Sequence, residues 1–225
     1  MVETLQPSLD NPMTQFVAAV DLGASSGRVC LGWIESGKLK VEEIHRFAHE
    51  VISNNGDLTW QWDHIVTEVL AGLKKAKARG EIAAVGVDCW AVDYGLLDRD
   101  GKLISTPHCY RDPRTDIYFE KIKKDLTPEF IYGRTGIQFL FFNTLYQLAA
   151  ELNQGRLGEA DKFLMLPDLL NKFLCGSNSN EITNASTTQL LNAKTREWDW
   201  ELIDRRSEEH TSELQSLRHL VCRLL

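Results

Sequence analysis

The clearest alternation along the chain lies near its start. An apolar run, Val17-Ala18-Ala19-Val20, ends in Asp21 and passes through Leu22-Gly23-Ala24-Ser25-Ser26-Gly27-Arg28 into a second apolar run, Val29-Cys30-Leu31-Gly32-Trp33-Ile34. Two such runs split by a Gly/Ser cluster predict the strands of a hairpin. Residues 38–47 alternate weakly through Leu39, Val41, Ile44 and Phe47 after the turn signal Ser36-Gly37, which predicts a third strand. Asn54-Asn55-Gly56-Asp57 predicts a loop. Ile65, Val66, Val69, Leu70, Leu73 and Ala76 then recur at helical spacing, with Asp63 as the expected N-cap. That helix closes on Lys74, Lys75, Lys77 and Arg79 before Gly80. Cations there complement the helix dipole, so the cluster reads as a helix end and not as a binding patch. The apolar run at 82–87 predicts a central strand buried on both faces.

Three strands, a helix and a buried strand open a ribonuclease-H-like α/β lobe with a mixed sheet and flanking helices. Tyr94-Gly95-Leu96-Leu97 reads as further strand, turning at Asp98-Arg99-Asp100-Gly101. Helices are expected over 116–125, 128–132, 143–154 and 167–174. No internal repeat or low-complexity segment occurs.

With 225 residues, 43% of them apolar and 25% charged, the chain has the composition of a globular domain. Its net charge of −7 argues against a protein built to coat nucleic acid or an anionic membrane. No apolar run is long enough to span a bilayer. Residues 1–15 lack the basic and apolar regions of a secretory signal and are expected to be a disordered lead-in. The five cysteines are scattered, with no Cys-x-x-Cys pair, which points to a reducing cytoplasm and to neither a disulfide framework nor a zinc site.

The Gly/Ser turn is the first candidate for chemistry. Gly23 and Gly27 are expected to permit positive φ and close approach of a ligand. Successive exposed N–H groups in such a turn suit phosphate oxygens. Asp21, at the strand end beside them, is placed to hold Mg²⁺ directly or through its waters. A dinucleotide turn is ruled out because the spacing is Gly-x-x-x-Gly and strand follows, and no Gly-Lys-Ser/Thr follows for a Walker loop. A plain hairpin and the phosphate hairpin of the actin, hexokinase and heat-shock ATPase superfamily remain. The segment Asp88-Cys89-Trp90-Ala91-Val92-Asp93 lies just beyond the run at 82–87, where open α/β sheets place ligands. His45 and His49 read as surface residues.

These motifs resemble the FGGY carbohydrate kinases. The likeness begins at Val20-Asp21-Leu22-Gly23-Ala24-Ser25-Ser26-Gly27-Arg28 and continues in order through Glu43-Ile44-His45-Arg46-Phe47, Asp88-Cys89-Trp90-Ala91-Val92-Asp93-Tyr94 and Tyr110-Arg111-Asp112-Pro113-Arg114-Thr115. It runs on through Gly136-Ile137-Gln138-Phe139, Phe142-Asn143-Thr144-Leu145-Tyr146-Gln147-Leu148, Leu166-Pro167-Asp168 and Thr183-Asn184-Ala185-Ser186-Thr187-Thr188-Gln189-Leu190. The resemblance is strongest to the members acting on L-rhamnulose. It implies ATP-dependent phosphorylation of that sugar's 1-hydroxyl. It assigns Asp21 to the Mg²⁺-nucleotide, Gly23, Ala24, Ser25, Ser26, Gly27 and Arg28 to the ATP phosphates, and Ala91 to the sugar, with Trp90 and Asp93 as candidate pocket walls. Cys89 and Ala91 stand where the family often has Thr and Gly. Trp90 reads equally well as a core aromatic. The catalytic carboxylate is expected in a second lobe, so no base is assigned to this chain. A non-catalytic sugar-binding module, or a kinase for another ketose such as L-fuculose or xylulose, are the alternatives.

From Arg206 the character changes. Arg206-Ser207-Glu208-Glu209-His210-Thr211-Ser212-Glu213-Leu214-Gln215-Ser216 resembles the in-frame translation of a common sequencing adapter. The kinase-like domain is therefore expected over 16–205, with 206–225 a non-native tail.

Overall fold

The computed structural model describes residues 15–54 and 56–203. The expected lead-in over 1–15, apart from Gln15, and the tail from Arg206 lie outside the described residues. The chain opens with β1 (Phe16–Leu22), β2 (Ser26–Glu35) and β3 (Lys38–Ala48), two antiparallel hairpins in succession. Next come β4 (Val51–Asn54) and β5 (Asp57–Trp60), then helix α1 (Trp62–Lys77) and β6 (Ile82–Cys89). The main sheet has the order β3-β2-β1-β6, with β6 parallel to β1. This is the mixed sheet expected from the sequence.

Helix α1 covers one face of that sheet, burying Ile65, Val69 and Ala76 in the apolar layer that holds Val20, Val29 and Leu31. Gly72 lets it sit close, because a Cβ there would lie 2.5 Å from Val29 Cγ2. The helix starts two residues earlier than expected. Gln61 is its N-cap, without a side-chain capping bond, and Asp63 lies inside the first turn, where its charge still complements the dipole.

Two expectations are corrected. The loop expected over 54–57 is narrower, because β4 pairs with β5 from Val51↔Trp60 to Asn54↔Asp57. The Asn55-Gly56 dipeptide is a strong two-residue hairpin signal, and Gly56 sits at φ 96°. The apolar run at 82–87 is not a central strand. Among the described residues β6 is an edge, and Val85 is 45% exposed because α1 rests over β2 and β3 and does not reach it.

The second half is mainly helical: α2 (Asp116–Asp125), α3 (Pro128–Thr135), α4 (Thr144–Asn153), α5 (Leu166–Cys175) and α6 (Ile182–Ala185), with β7 (Tyr94–Leu97) and β8 (Lys162–Met165) paired antiparallel. Every residue of α4 from Thr144 to Leu152 is buried, so it forms the spine of this half. One apolar cluster joins the halves, bringing Val20, Val29 and Ile65 together with Leu97, Leu164, Leu169 and Leu170. No helix among the described residues is long and apolar enough to cross a membrane.

Candidate functional site

The carboxyl ends of the parallel strands β1 and β6 lie side by side, Asp21 opposite Asp88 and Leu22 opposite Cys89. The Gly/Ser turn springs from this edge, as ligand-binding turns of open sheets do. It is closed by the Gly23 N–H donating to Ser26 O at 2.9 Å. Gly23 and Ser25 are exposed, Ala24 and Ser26 half-buried, and only Gly27 is buried, so small side chains leave the backbone accessible.

His49 ties the turn down from behind. Its backbone N–H donates to Ser25 O at 3.2 Å and its ring Nε2 to Gly23 O at 2.8 Å. A carbonyl oxygen only accepts, so the proton is on Nε2. The ring is 3% exposed, Nδ1 has no partner, and burial pushes its pKa below the ordinary histidine value. The surface reading of this residue is corrected, whereas His45 is half-buried and bonded to Glu68 at 2.6 Å. The expected reason for the glycines is corrected as well. Neither Gly23 nor Gly27 has positive φ. Gly27 is required by contact: a Cβ would lie 2.3 Å from Phe47 Cζ and 2.8 Å from Leu22 Cδ2.

Asp21 and Arg28 face each other across β1 and β2, and Arg28 Nε donates to Asp21 Oδ2 at 2.7 Å. The Asp21 carboxylate is partly solvent-open and neighbours the exposed Asp88. A hard-oxygen donor with room for water is what Mg²⁺ takes, so the residues present fit that ion.

Past β6 the chain makes a strained reversal. The Asp93 N–H donates to Ala91 O at 2.9 Å around Val92, whose φ is 68°. This is the positive-φ form of the γ-turn, costly for a β-branched residue. Residues from α4 hold it, since Thr144 Oγ1 and Gln147 Nε2 both donate to Val92 O, at 2.7 and 3.2 Å. Such strain persists where the surroundings over-determine it, commonly at ligand sites.

Asp93 is fully buried and accepts four N–H groups: Trp60 Nε1 at 2.7 Å, Trp90 Nε1 at 2.9 Å, the Tyr110 backbone at 3.1 Å and Gln147 Nε2 at 3.1 Å. Burial pushes its carboxyl up to about 6, and those donors pull the other way. Asp93 is therefore not a pocket wall. It is a buried hub, orienting the half-buried Trp90, whose ring packs 4.3 Å from Trp60. The half-buried Tyr110 and Phe142 extend the aromatic surface, 5.4 Å apart, with the Arg111 guanidinium over Tyr110.

Ala91 opens onto a recess of about 410 Å³ whose lining also includes Asp88, Asp168, Glu181, Thr183 and Asn184. Burial pushes the Asp168 carboxyl up to about 6, and it accepts the Glu181 N–H at 3.0 Å. Glu181 in turn caps the Thr183 and Asn184 N–H groups. Carboxylates, amides and hydroxyls converging on one recess can grip a polyhydroxyl ligand. The chain motifs containing Ala91, Asp168 and Thr183 were visible in the sequence, but no signal in them showed that they line one recess.

A family model for the FGGY family of carbohydrate kinases, N-terminal domain, matches residues 16–217. The chain belongs to this family. The match runs past Arg206, where the sequence reading ended the domain. A rhamnulokinase of Oceanobacillus iheyensis is 46% identical over 195 residues, covering 85% of this chain and 42% of that protein. A rhamnulokinase of Bacillus subtilis is 46% identical over 187 residues, covering 83% and 38%. The chain thus spans about two fifths of the length of these curated relatives. Among solved structures, a gluconate kinase from Lactobacillus acidophilus superposes with a TM-score of 0.76 at 21% identity, over 85% of this chain and 39% of that one. A xylulose kinase from the same species gives 0.76 at 20% identity, over 89% and 41%. These likenesses establish the ribonuclease-H-like fold of the sugar kinases.

Proposed function

We propose that the chain is the N-terminal lobe of an ATP-dependent sugar kinase that phosphorylates the 1-hydroxyl of L-rhamnulose. The observation that carries the reading is the 46% identity to curated rhamnulokinases over some 85% of this chain. The open Gly/Ser turn at the sheet's carboxyl edge supports it. In this reading Gly23 to Arg28 cradle the nucleotide phosphates and Asp21 holds Mg²⁺ through its carboxylate or its waters. Bound Mg²⁺-ATP supplies the phosphoryl group and neutralises charge on it. Ala91 and Trp90 face the sugar, and Asp93 fixes the Trp90 ring. The base that receives the hydroxyl proton belongs to the portion of the relatives that this chain does not span, and the setting is cytoplasmic.

Calorimetry with Mg²⁺-ATP and a coupled kinase assay on the 225-residue chain test the division of labour. Weak nucleotide binding with negligible turnover is expected, and L-rhamnulose phosphorylation by this chain alone would overturn it. A panel of L-rhamnulose, L-fuculose and xylulose with the full-length protein tests the substrate, with L-rhamnulose expected to be turned over fastest. Tight sugar binding by the chain with no effect of nucleotide would favour a sugar-binding module instead.

A further inference from the structure

We propose that Asp57, His108 and Asp112 form a site for a divalent cation of the Zn²⁺ or Mn²⁺ class, which clips the β4–β5 hairpin to the segment around His108. One donor atom from each residue lies within 4.8 Å of the others. His108 is 6% exposed, and its Nε2 has no hydrogen-bond partner. That atom is 3.5 Å from Asp57 Oδ2, too far for a good hydrogen bond. It matches the separation of about 3.4 Å between two ligands of one tetrahedral ion with bonds of about 2.1 Å. The opposite ring nitrogen, Nδ1, faces Glu151 Oε1 at 3.4 Å. A carboxylate behind Nδ1 is the usual device that keeps the proton there and leaves Nε2 free to ligate.

The frame around these donors is rigid. Trp60 N–H donates to Pro107 O at 3.0 Å and Cys109 N–H to Leu58 O at 2.8 Å, so β5 is laced to the His108 strand. The Leu58 N–H donates to Asp112 Oδ2 at 2.6 Å and the Arg114 N–H to Oδ1 at 2.8 Å, each leaving a lone pair on its oxygen. Two guanidiniums flank the site, with Arg114 Nη1 3.8 Å from Asp112 and Arg156 Nη1 3.9 Å from Asp57. Both are also engaged by Glu151, so three carboxylates against two cations leave the cluster net negative. The Asp57 side chain, 41% exposed, gives an ion its way in. An imidazole among carboxylates favours Zn²⁺ or Mn²⁺ over Mg²⁺ or Ca²⁺. The clipped segment carries Tyr110, whose N–H reaches Asp93, so an ion here would stiffen the aromatic wall without touching the Asp21 edge.

The test is metal analysis of the 225-residue chain, chelator-stripped and then dialysed against Zn²⁺ or Mn²⁺, with Mg²⁺ as control, for wild type, Asp57→Asn and His108→Gln. Asp57 is at the surface, so its variant should fold even if the buried His108 variant does not, which circular dichroism checks. Binding of about one ion per chain, weakened roughly 10- to 100-fold by Asp57→Asn, is the expected result. Loading with Co²⁺ should give visible d–d bands without thiolate charge transfer. No retained Zn²⁺ or Mn²⁺, unchanged binding in the folded Asp57→Asn chain, or a thiolate–Co²⁺ band would each overturn the proposal.

Discussion

Two turns end adjacent parallel strands of the same sheet and are built in opposite ways. The turn after β1 is small-chained, solvent-facing and closed by its own backbone, with His49 behind it. The turn after β6 is bent around a left-handed Val92 and anchored to Asp93, a buried carboxylate with four N–H donors. The contrast separates two jobs. The first leaves its small-chained backbone exposed to solvent and contributes little to stability. The second is held from beneath by the buried Val92 and Asp93 and sets the position of the half-buried Trp90 and Ala91.

The comparison is broken most strongly at the hub. Asp93→Ala leaves two indole N–H groups and a backbone N–H without an acceptor, and should cost at least about 3 kcal/mol in chemical denaturation. An equally stable variant would show that the hub does not hold the turn.

The next effect is in pH. Burial raises the folded Asp93 carboxyl from 3.8 to about 6. A raised folded pKa means that the folded state binds the proton more tightly. The resulting stability is complete below about pH 4 and is lost as pH rises through 6, amounting to about 3 kcal/mol. Glu42, Glu43 and Asp199, whose pKa values are lowered, work in the opposite sense as pH falls. The Asp93→Asn variant isolates the hub: subtracting its stability from that of wild type between pH 4 and 7 should give a difference that declines with pH. A flat difference would mean that the four donors keep Asp93 ionised throughout.

A smaller loss belongs to the first turn's only buried position. Gly27→Ala drives a methyl into Phe47 and Leu22, and overpacking of this kind costs about 1–3 kcal/mol. Thermal melts check it. At the exposed tip, Ser25→Glu should change stability by less than about 0.5 kcal/mol. By placing a negative charge among phosphate donors, it should weaken Mg²⁺-ATP binding about tenfold in calorimetry. Loss of stability without loss of nucleotide binding would reverse the roles given to the two turns.

The hairpin of β1 and β2, the third strand, α1 and the helices at 116–125 and 144–153 were legible because their periodicity is local. The motif order was legible too, and it led to the right family. Three features were not. The run at 82–87 has the composition of a buried strand, yet which strands flank it is a matter of topology, and here one side is an edge. The four residues of β8 are too few to carry a period. His49 resembles any strand-end histidine until the chain brings it against Gly23 O and two tryptophans.

By itself, then, the sequence determined the strand and helix order, the accessible Gly/Ser turn and the family, since each is written in residues close together along the chain. Only the tertiary structure decided that Asp93 is a hub and not a wall, that Gly27 is small for the sake of Phe47, and that Asp57, His108 and Asp112 converge. Those are contacts between distant segments, such as that of Leu58 with Asp112, 54 positions apart. Burial and donor geometry, which no local pattern encodes, set their chemistry.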